Sequence, residues 1–238
     1  MDKVYRKKEK LYFYDCDVNK NAKLSTINKI FAEIAGEGFG QSGMTHQWLL
    51  EHGYAFLLSK MSIAFEKIPK ADDVIYVQTW ERGTRGASFL RDFEIFDENE
   101  NLLCSAHSEW VLVSPETHRI IKPTEFEGEQ NVLAEKTASA PDCIRLKMKE
   151  GTLADERVIR YSQIDGNGHV YNAFYADFAV DALPPELREK EVRYYQINFV
   201  NEAKLDDKMQ VFVNDGETLT IKGVIGEKDS FVCEIIFK

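Results

Sequence analysis

The segment Asp165-Gly-Asn167-Gly-His169 brings together residue types that can activate water near neutral pH. Histidine has the reference pKa nearest neutrality, which suits a general base. Two glycines bend the segment, and an amphipathic pattern after it indicates that it leads into a helix. Backbone N–H groups at a helix N-terminus are unpaired and can stabilise a developing oxyanion, and those of His169 to Tyr171 are the candidate donors here. Because Asn and Asp are also favoured as plain helix caps, a cap and a catalytic site both remain open at this point.

The elements around this segment occur twice in the chain. The segment EKLYFYDCDVN, residues 9–19, aligns with RVIRYSQIDGN, residues 157–167, so that both end in Asp-x-Asn. Two further matches follow in the same order, Ile63 with Ile197 and Cys104 with Cys233. Three matches in one order indicate a duplication rather than chance.

An amphipathic helix pattern follows the Asp-x-Asn sequence in each copy. Apolar residues recur at 3-4 spacing from Leu24 to Ala35 in the first copy, and from Val170 to Phe178 in the second, before Pro184 ends the pattern. The glycines of residues 36–43 are expected to follow the first helix, so they do not form the strand-to-helix turn of a dinucleotide fingerprint.

The rest of each copy consists of long strand patterns, which predicts an α+β fold. A single central helix wrapped by a strongly curved antiparallel sheet is the hot-dog fold, and two fused copies predict a tandem, or double, hot dog. We place an N-terminal repeat at residues 1–125, a connector at 126–149 and a C-terminal repeat at 150–238. Within the connector, residues 144–149 alternate like a strand with one wet face.

Composition and charge exclude several functional classes. The 238 residues include 30 Lys and Arg against 40 Asp and Glu, a net charge of −10, and no long basic block suggests nucleic-acid binding. The longest apolar run, Tyr54–Leu58, is far shorter than the roughly 20 residues of a membrane span. The charged N-terminal residues do not resemble a signal peptide, and four cysteines without a CxxC pair suggest free thiols. We therefore expect a cytoplasmic protein without stable membrane insertion.

Familiar catalytic motifs are missing from the sequence. It contains no G-x-S-x-G, H-E-x-x-H or G-x-x-x-x-G-K-[ST], which argues against serine-esterase, zinc-protease and P-loop chemistry. His46 and His52 do not share a helical face, so they do not indicate a metal site. We expect neither a metal nor an organic cofactor.

Three segments resemble the acyl-acyl carrier protein (acyl-ACP) thioesterases, whose fold is a double hot dog. DGNGHVYNAFYADF, from Asp165, resembles the family signature D-x-N-x-H-[VI]-x-N. SAHSEWVLVSPETHRIIKP, from Ser105, resembles the family stretch S-x-W-V-x(5)-T-R-R, with His118 where the first Arg usually stands. INFVNEAKLDD, from Ile197, resembles the strand that carries a catalytic acidic residue, a position that falls on Glu202.

The resemblance implies roles for four residues. Asn167, His169 and Glu202 match the catalytic positions, and Asp165 matches the accompanying acid. Plant members have a cysteine next to the acidic residue, whereas this chain has Ala203, so direct activation of water is expected instead of attack by a thiolate.

The first copy lacks the equivalent residues. Asn21 stands at the position of His169, and Ile68 stands at that of Glu202. One active site per chain is therefore expected, with the first copy supplying the acyl pocket.

The function implied by the resemblance is hydrolysis of fatty acyl-ACP to free fatty acid and ACP, which ends chain elongation in fatty acid biosynthesis. The implied partner is ACP carrying the acyl thioester. The sequence does not decide whether the tandem chain forms a homodimer. Three alternatives remain on the sequence alone: a hot-dog acyl-CoA thioesterase, a hot-dog dehydratase and a non-catalytic acyl-binding protein.

Overall fold

The structure, a computed structural model, describes residues 2–216 and 218–238. Its helices are α1 (Leu24–Gly40), α2 (His46–Glu51), α3 (Phe174–Asp181) and α4 (Pro185–Arg188). Its strands are β1 (Tyr5–Lys10), β2 (Ala55–Phe65), β3 (Val74–Arg85), β4 (Ser88–Phe96), β5 (Leu102–Val113), β6 (Ile120–Ile121), β7 (Thr152–Val158), β8 (Val192–Phe199), β9 (Lys208–Asp215), β10 (Leu219–Ile225) and β11 (Lys228–Phe237). Among these helices none is long and apolar enough to cross a membrane.

The described strands form one antiparallel sheet whose two halves repeat each other. The order is β1-β3-β4-β5-β2-β8-β11-β10-β9-β7, with the short β6 beside β5. The halves meet where β2 pairs with β8, for example Met61 opposite Ile197. Reading outward from this seam, each strand of the first copy has its counterpart in the second, which is the arrangement that a duplication requires.

The central helices cover one face of the sheet. The face of α1 that carries Ile27, Phe31 and Ile34 is buried, and the ring of Phe31 lies 4.7 Å from that of Phe93 on β4. In the second copy, Tyr175 and Phe178 of α3 are buried in the same core. The amphipathic pattern of each helix thus buries its apolar side on the sheet, and the predicted double hot dog is confirmed.

The connector crosses the opposite face of the sheet, and we call residues 126–149 the strap. Ser62 and Gln196 alternate with core residues along their strands, so they point away from the helices. The Ser62 hydroxyl donates to the Pro141 carbonyl at 2.6 Å, and the Gln196 amide donates to the Ile144 carbonyl at 2.7 Å. The strand predicted at 144–149 is therefore wrong, because side chains of the sheet, rather than a neighbouring strand, bond this part of the backbone.

Buried ionisable side chains lie between the strap and the sheet. Asp92 and His107 are 1% and 4% exposed, and the Asp92 carboxylate is hydrogen-bonded to the His107 ring. The same carboxylate accepts the Ala138 amide of the strap at 2.8 Å, and Arg82 lies 3.5 Å away. The bond from Ala138 attaches the strap to β4, and the same carboxylate joins β4 to β5 through His107.

The repeat alignment at the last strands is wrong by two residues. Cys104 lies opposite Phe65, whereas Cys233 lies opposite Ile197. Because Ile197 corresponds to Ile63, and Ile63 lies opposite Ala106, the true counterpart of Cys233 is Ala106. The shift keeps both cysteines on the buried face, so the side-chain pattern alone does not reveal it.

Both central helices differ from their predicted bounds. The first helix continues through the glycines to Gly40. At Gly38 a Cβ atom would lie 3.2 Å from Thr79 and 3.3 Å from Tyr5, so the absence of a side chain lets the helix approach these two residues closely. The second begins at Phe174, after the predicted start. Val170 is instead held in a β-bridge with Ile164.

Candidate active site

A tight loop before α3 presents the residues of the Asp-x-Asn-x-His sequence. The Asp165 carboxylate accepts the amide of Asn167 at 2.8 Å and that of His169 at 3.4 Å. The Asp165 amide donates to the His169 carbonyl at 2.8 Å, and Gly168 adopts φ +82°, which glycine permits without strain. Asp165 therefore fixes the shape of the loop that carries His169.

His169 and Glu202 meet at this loop. The His169 Nε2 atom lies 3.0 Å from a carboxylate oxygen of Glu202, and the two side chains are 26% and 40% exposed. The amide of Val170 donates to the carbonyl of Ala203 at 2.8 Å, so the backbones next to both residues are also joined. The site therefore has a histidine–carboxylate pair that water can reach.

Asn167 lies on the outer side of the same loop. Its side chain is exposed and forms no hydrogen bond with the residues that the structure describes. The structure thus brings His169, Glu202 and Asp165 into direct or backbone contact, while Asn167 faces solvent beside them. The catalytic roles of all four stay predictions.

The backbone donors expected at His169 to Tyr171 are not available. The amide of His169 donates to Asp165, that of Val170 to Ala203, and that of Tyr171 to the Gln163 carbonyl at 2.9 Å. The helix also starts later than predicted, so the oxyanion donors inferred from the sequence are wrong. Within the described part of the chain, the amides of Asn172 and Ala173 have no acceptor, and they lie where α3 begins.

Sequence reasoning missed two further residues that border the site, Tyr171 and Glu33. The hydroxyl of Tyr171 donates to the Glu33 carboxylate on α1 at 3.3 Å. Burial, followed by the charge of Glu33, raises the pKa of Tyr171, so its hydroxyl stays protonated. Tyr171 stands inside the recognised motif, whereas no local pattern distinguishes Glu33, because only the fold brings α1 to the loop of the other repeat.

The first repeat keeps the shape of the loop without the pair. The Asp17 carboxylate accepts the amides of Asn19 and Asn21 at 2.8 and 2.9 Å, as Asp165 does in the second repeat. Lys20 adopts φ +65°, where the second repeat has Gly168. Ile68, at the position of Glu202, is buried. The Asp-x-Asn turn is therefore a structural element of both repeats, and the histidine–carboxylate pair belongs to the second.

The structure offers no cluster suited to a metal ion: across residues 2–216 and 218–238, His, Cys, Asp and Glu side chains do not gather in groups of three or more around a common point.

The four cysteines are buried away from the pair. Burial raises the pKa of each thiol, to about 12 for Cys143. Since the thiolate is the reactive form of cysteine, a variant with all four cysteines changed to Ala or Ser is expected to keep at least about half of the thioester hydrolysis that the family resemblance implies. Thiol release by the folded variant measures this, and loss of hydrolysis would restore a cysteine to the mechanism.

Two fused hot-dog repeats, one of which carries a histidine–carboxylate pair, define the chain as a double hot-dog protein. The family model for the acyl-ACP thioesterase N-terminal domain matches residues 2–126, and that for the acyl-ACP thioesterase C-terminal domain matches residues 147–234. The chain therefore belongs to the acyl-ACP thioesterase family, which confirms the resemblance noted in the sequence.

Curated relatives are plant proteins. The chain is 24% identical over 226 residues to the oleoyl-acyl carrier protein thioesterase of Coriandrum sativum, covering 85% of this chain and 60% of that protein. It is also 24% identical over 226 residues to the palmitoyl-acyl carrier protein thioesterase of Arabidopsis thaliana, covering 87% and 54%. The chain thus spans between half and two thirds of the length of these relatives.

Solved structures share the fold over nearly the whole chain. An acyl-ACP thioesterase from Bacteroides thetaiotaomicron superposes with a TM-score of 0.92 at 20% identity, covering 99% of this chain and 98% of that one. The 12:0-ACP thioesterase of Umbellularia californica gives 0.80 at 15% identity, covering 100% and 98%. At these identities the likeness concerns the fold.

Proposed function

We propose that this protein hydrolyses the thioester of fatty acyl-ACP, releasing free fatty acid and ACP and so ending chain elongation, in the cytoplasm. The observation that carries the proposal is the contact of 3.0 Å between His169 and Glu202, at the loop where the family signature lies. Membership of the acyl-ACP thioesterase family supports the substrate class.

The pair supplies the base that thioester hydrolysis needs. One member takes a proton from water while the other stabilises the resulting charge, and the water oxygen attacks the thioester carbonyl. The tetrahedral intermediate then collapses, the C–S bond breaks, and the proton returns to the leaving thiolate. Because Nε2 of His169 faces Glu202, the other ring nitrogen and the second carboxylate oxygen are the atoms left to contact water.

Neutral donors near the loop are suited to the developing oxyanion. Three donors lie within a few residues of His169: the backbone amides of Asn172 and Ala173 and the side-chain amide of Asn167. None of them has an acceptor among the residues that the structure describes. A donor that the fold orients in advance, such as a backbone amide at the start of α3, contributes about 10²-fold or more to acyl transfer. We therefore assign these groups to the carbonyl oxygen, in place of the amides of residues 169–171.

The first repeat is proposed to hold the acyl chain. The contact between Tyr171 and Glu33 supports this, because it brings α1 of the first repeat to the edge of the loop that carries His169. An acyl group bound against α1 would thus present its thioester to the pair.

The test is thiol release from acyl-ACP and acyl-CoA substrates matched in chain length and saturation. We expect higher kcat/KM with acyl-ACP. Preference for acyl-CoA would favour the acyl-CoA thioesterase instead, and binding without thiol release would favour an acyl-binding protein. Gel filtration in the same samples reports whether the chain forms a homodimer.

Docking of the acidic carrier is proposed to use lysines beside the pair. Lys204 is exposed two residues after Glu202, and Lys29 is exposed one helical turn before Glu33 on α1. Arg193, in contrast, lies at the far end of β8, roughly 20 Å or more from Glu202 at strand spacing. Charge effects at physiological salt reach only about 8 Å. Neither the net charge of the chain nor distant basic residues can therefore attract the carrier to the site.

Reversing the charge at Lys204 tests this docking site. We expect Lys204→Glu to raise KM for acyl-ACP about threefold or more and to leave a short soluble thioester nearly unchanged, because only the carrier contacts the surface. Added salt should have the same effect on the wild type. Lys190→Glu, an exposed lysine at the far end of β8, is the matched control, and equal responses of the two variants would contradict local ionic docking.

A further inference from the structure

The backbone that carries Glu202 is anchored by a buried tyrosine. The amide of Ala203 donates to the hydroxyl of Tyr175 on α3 at 3.0 Å. Tyr175 is 3% exposed and Ala203 is fully buried, so water does not compete for this bond. The anchor acts one residue after Glu202, on the peptide that joins Glu202 to the rest of the loop between β8 and β9.

A second anchor holds the other side of Glu202. The hydroxyl of Ser230 donates to the carbonyl of Asn201 at 2.8 Å, and the Ser230 carbonyl accepts the amides of Val200 and Asn201. Ser230 is 1% exposed. Glu202 is therefore the one residue between two backbone groups fixed by buried hydroxyls.

The ring of Tyr175 is itself held in place. Phe199 and Phe231 pack edge-on against it, each with its centroid 5.5 Å from that of Tyr175. Aromatic contacts of this geometry are favourable and leave little freedom for the ring. The hydroxyl is thus presented to Ala203 by a rigid support, which is what a positioning group requires.

The first repeat lacks both anchors together with the pair. Ile27 stands at the position of Tyr175, Pro69, which has no N–H, stands at that of Ala203, and Leu103 stands at that of Ser230. The backbone path is nevertheless the same, since the amide of Ala22 donates to the Pro69 carbonyl as that of Val170 does to Ala203. The fold therefore forms without the two hydroxyls, and they occur only where there is a carboxylate to place.

We propose that Tyr175 is a positioning residue for the hydrolysis, and that its hydroxyl holds the Ala203 peptide so that the Glu202 carboxylate stays against His169. The proposal rests on the function proposed above. Tyr175 does not touch the reacting atoms in this scheme. It acts through Glu202 alone, with Ser230 supporting it from the other side.

The test begins with Tyr175→Phe, which removes the hydroxyl and keeps the ring between Phe199 and Phe231. We expect kcat for acyl-ACP to fall about 10-fold to 10²-fold with KM nearly unchanged, the size of effect that small misplacement of a catalytic group produces. In a Glu202→Gln background the same substitution should change kcat less than about twofold, because the group it positions has been removed. Independent, multiplying effects would overturn the proposal.

The ring of His169 gives a readout that does not depend on turnover. In 15N-labelled enzyme we expect Tyr175→Phe to move the His169 ring signals toward those of Glu202→Gln, since both weaken the same contact. Unchanged signals would refute the positioning role even if activity fell. Conversely, normal hydrolysis by Glu202→Gln, together with moved signals in Tyr175→Phe, would reject the proposed mechanism and keep the anchor.

The control is Tyr194→Phe, which removes another hydrogen-bonded tyrosine hydroxyl, on the opposite face of the sheet. It should leave kcat and the His169 signals unchanged. If Tyr175→Phe does not fold, Ser230→Ala carries the same expectations, because it releases the other anchor of the same segment.

Discussion

Replacing His169 with alanine is expected to lower kcat for acyl-ACP by about 10²-fold or more, and Glu202→Gln is expected to have an effect of the same size. Each substitution removes one member of the only contact in the described loop that can accept and stabilise a proton from water. A 10²-fold loss corresponds to about 2.7 kcal/mol of transition-state stabilisation. Single-turnover thiol release with acyl-ACP measures the chemical step directly.

The combination of the two changes separates a shared role from two independent ones. If His169 and Glu202 act as a unit, the double variant should be little slower than either single variant. The matched control is His52→Ala, an exposed histidine that stacks on Trp48 in the first repeat. A folded His169→Ala or Glu202→Gln enzyme with wild-type kcat would remove that residue from the mechanism.

Asp92→Ala is expected to lower the free energy of unfolding by about 3 kcal/mol. The substitution leaves the buried His107 ring and the Ala138 amide of the strap without the carboxylate that they share. It also removes the anion beside Arg82, whose side chain is 19% exposed. Urea unfolding followed by circular dichroism measures the change.

The matched control for this prediction is Asp142→Ala. Asp142 also contacts Arg82, at 3.3 Å, but its side chain is 54% exposed, so solvent screens the pair and less than about 1 kcal/mol is expected. Equal destabilisation by the two variants would show that burial beneath the strap is not what gives Asp92 its effect.

The fold and the location of the site could be predicted because their signals are local. The Asp-x-Asn turns, the 3-4 spacing in α1 and the strand patterns of the duplicated segments depend on a few neighbouring residues each. The pairing of His169 with Glu202 follows from the family motif rather than from the pattern, since a single acidic residue has no distinguishing mark. The strand expected to carry Glu202 ends at Phe199, so Glu202 lies in the loop after β8.

Other features depend on contacts that sequence patterns do not encode. A shift of two residues leaves every side chain on the same face of a sheet. The false match of Cys104 with Cys233 therefore leaves the pattern of buried and exposed residues unchanged, and the pattern does not reveal it. The start of α3 was misplaced because the bond from Val170 to Ala203 competes with helix formation. Residues 144–149 of the strap are predicted as a strand because apolar and charged residues alternate there. The bond that fixes the start of this segment comes from the side chain of Gln196, which is distant in sequence.

The strap also changes how the two repeats come together. Separate repeats would have to find each other by diffusion, and their assembly would weaken on dilution, whereas covalently joined repeats associate at a fixed effective concentration. A symmetric pair of identical subunits would moreover receive every substitution twice. In the joined chain, one repeat carries Asn21 and Ile68 where the other carries His169 and Glu202. Two identical subunits could not differ in this way, so the covalent link lets the two repeats have different roles.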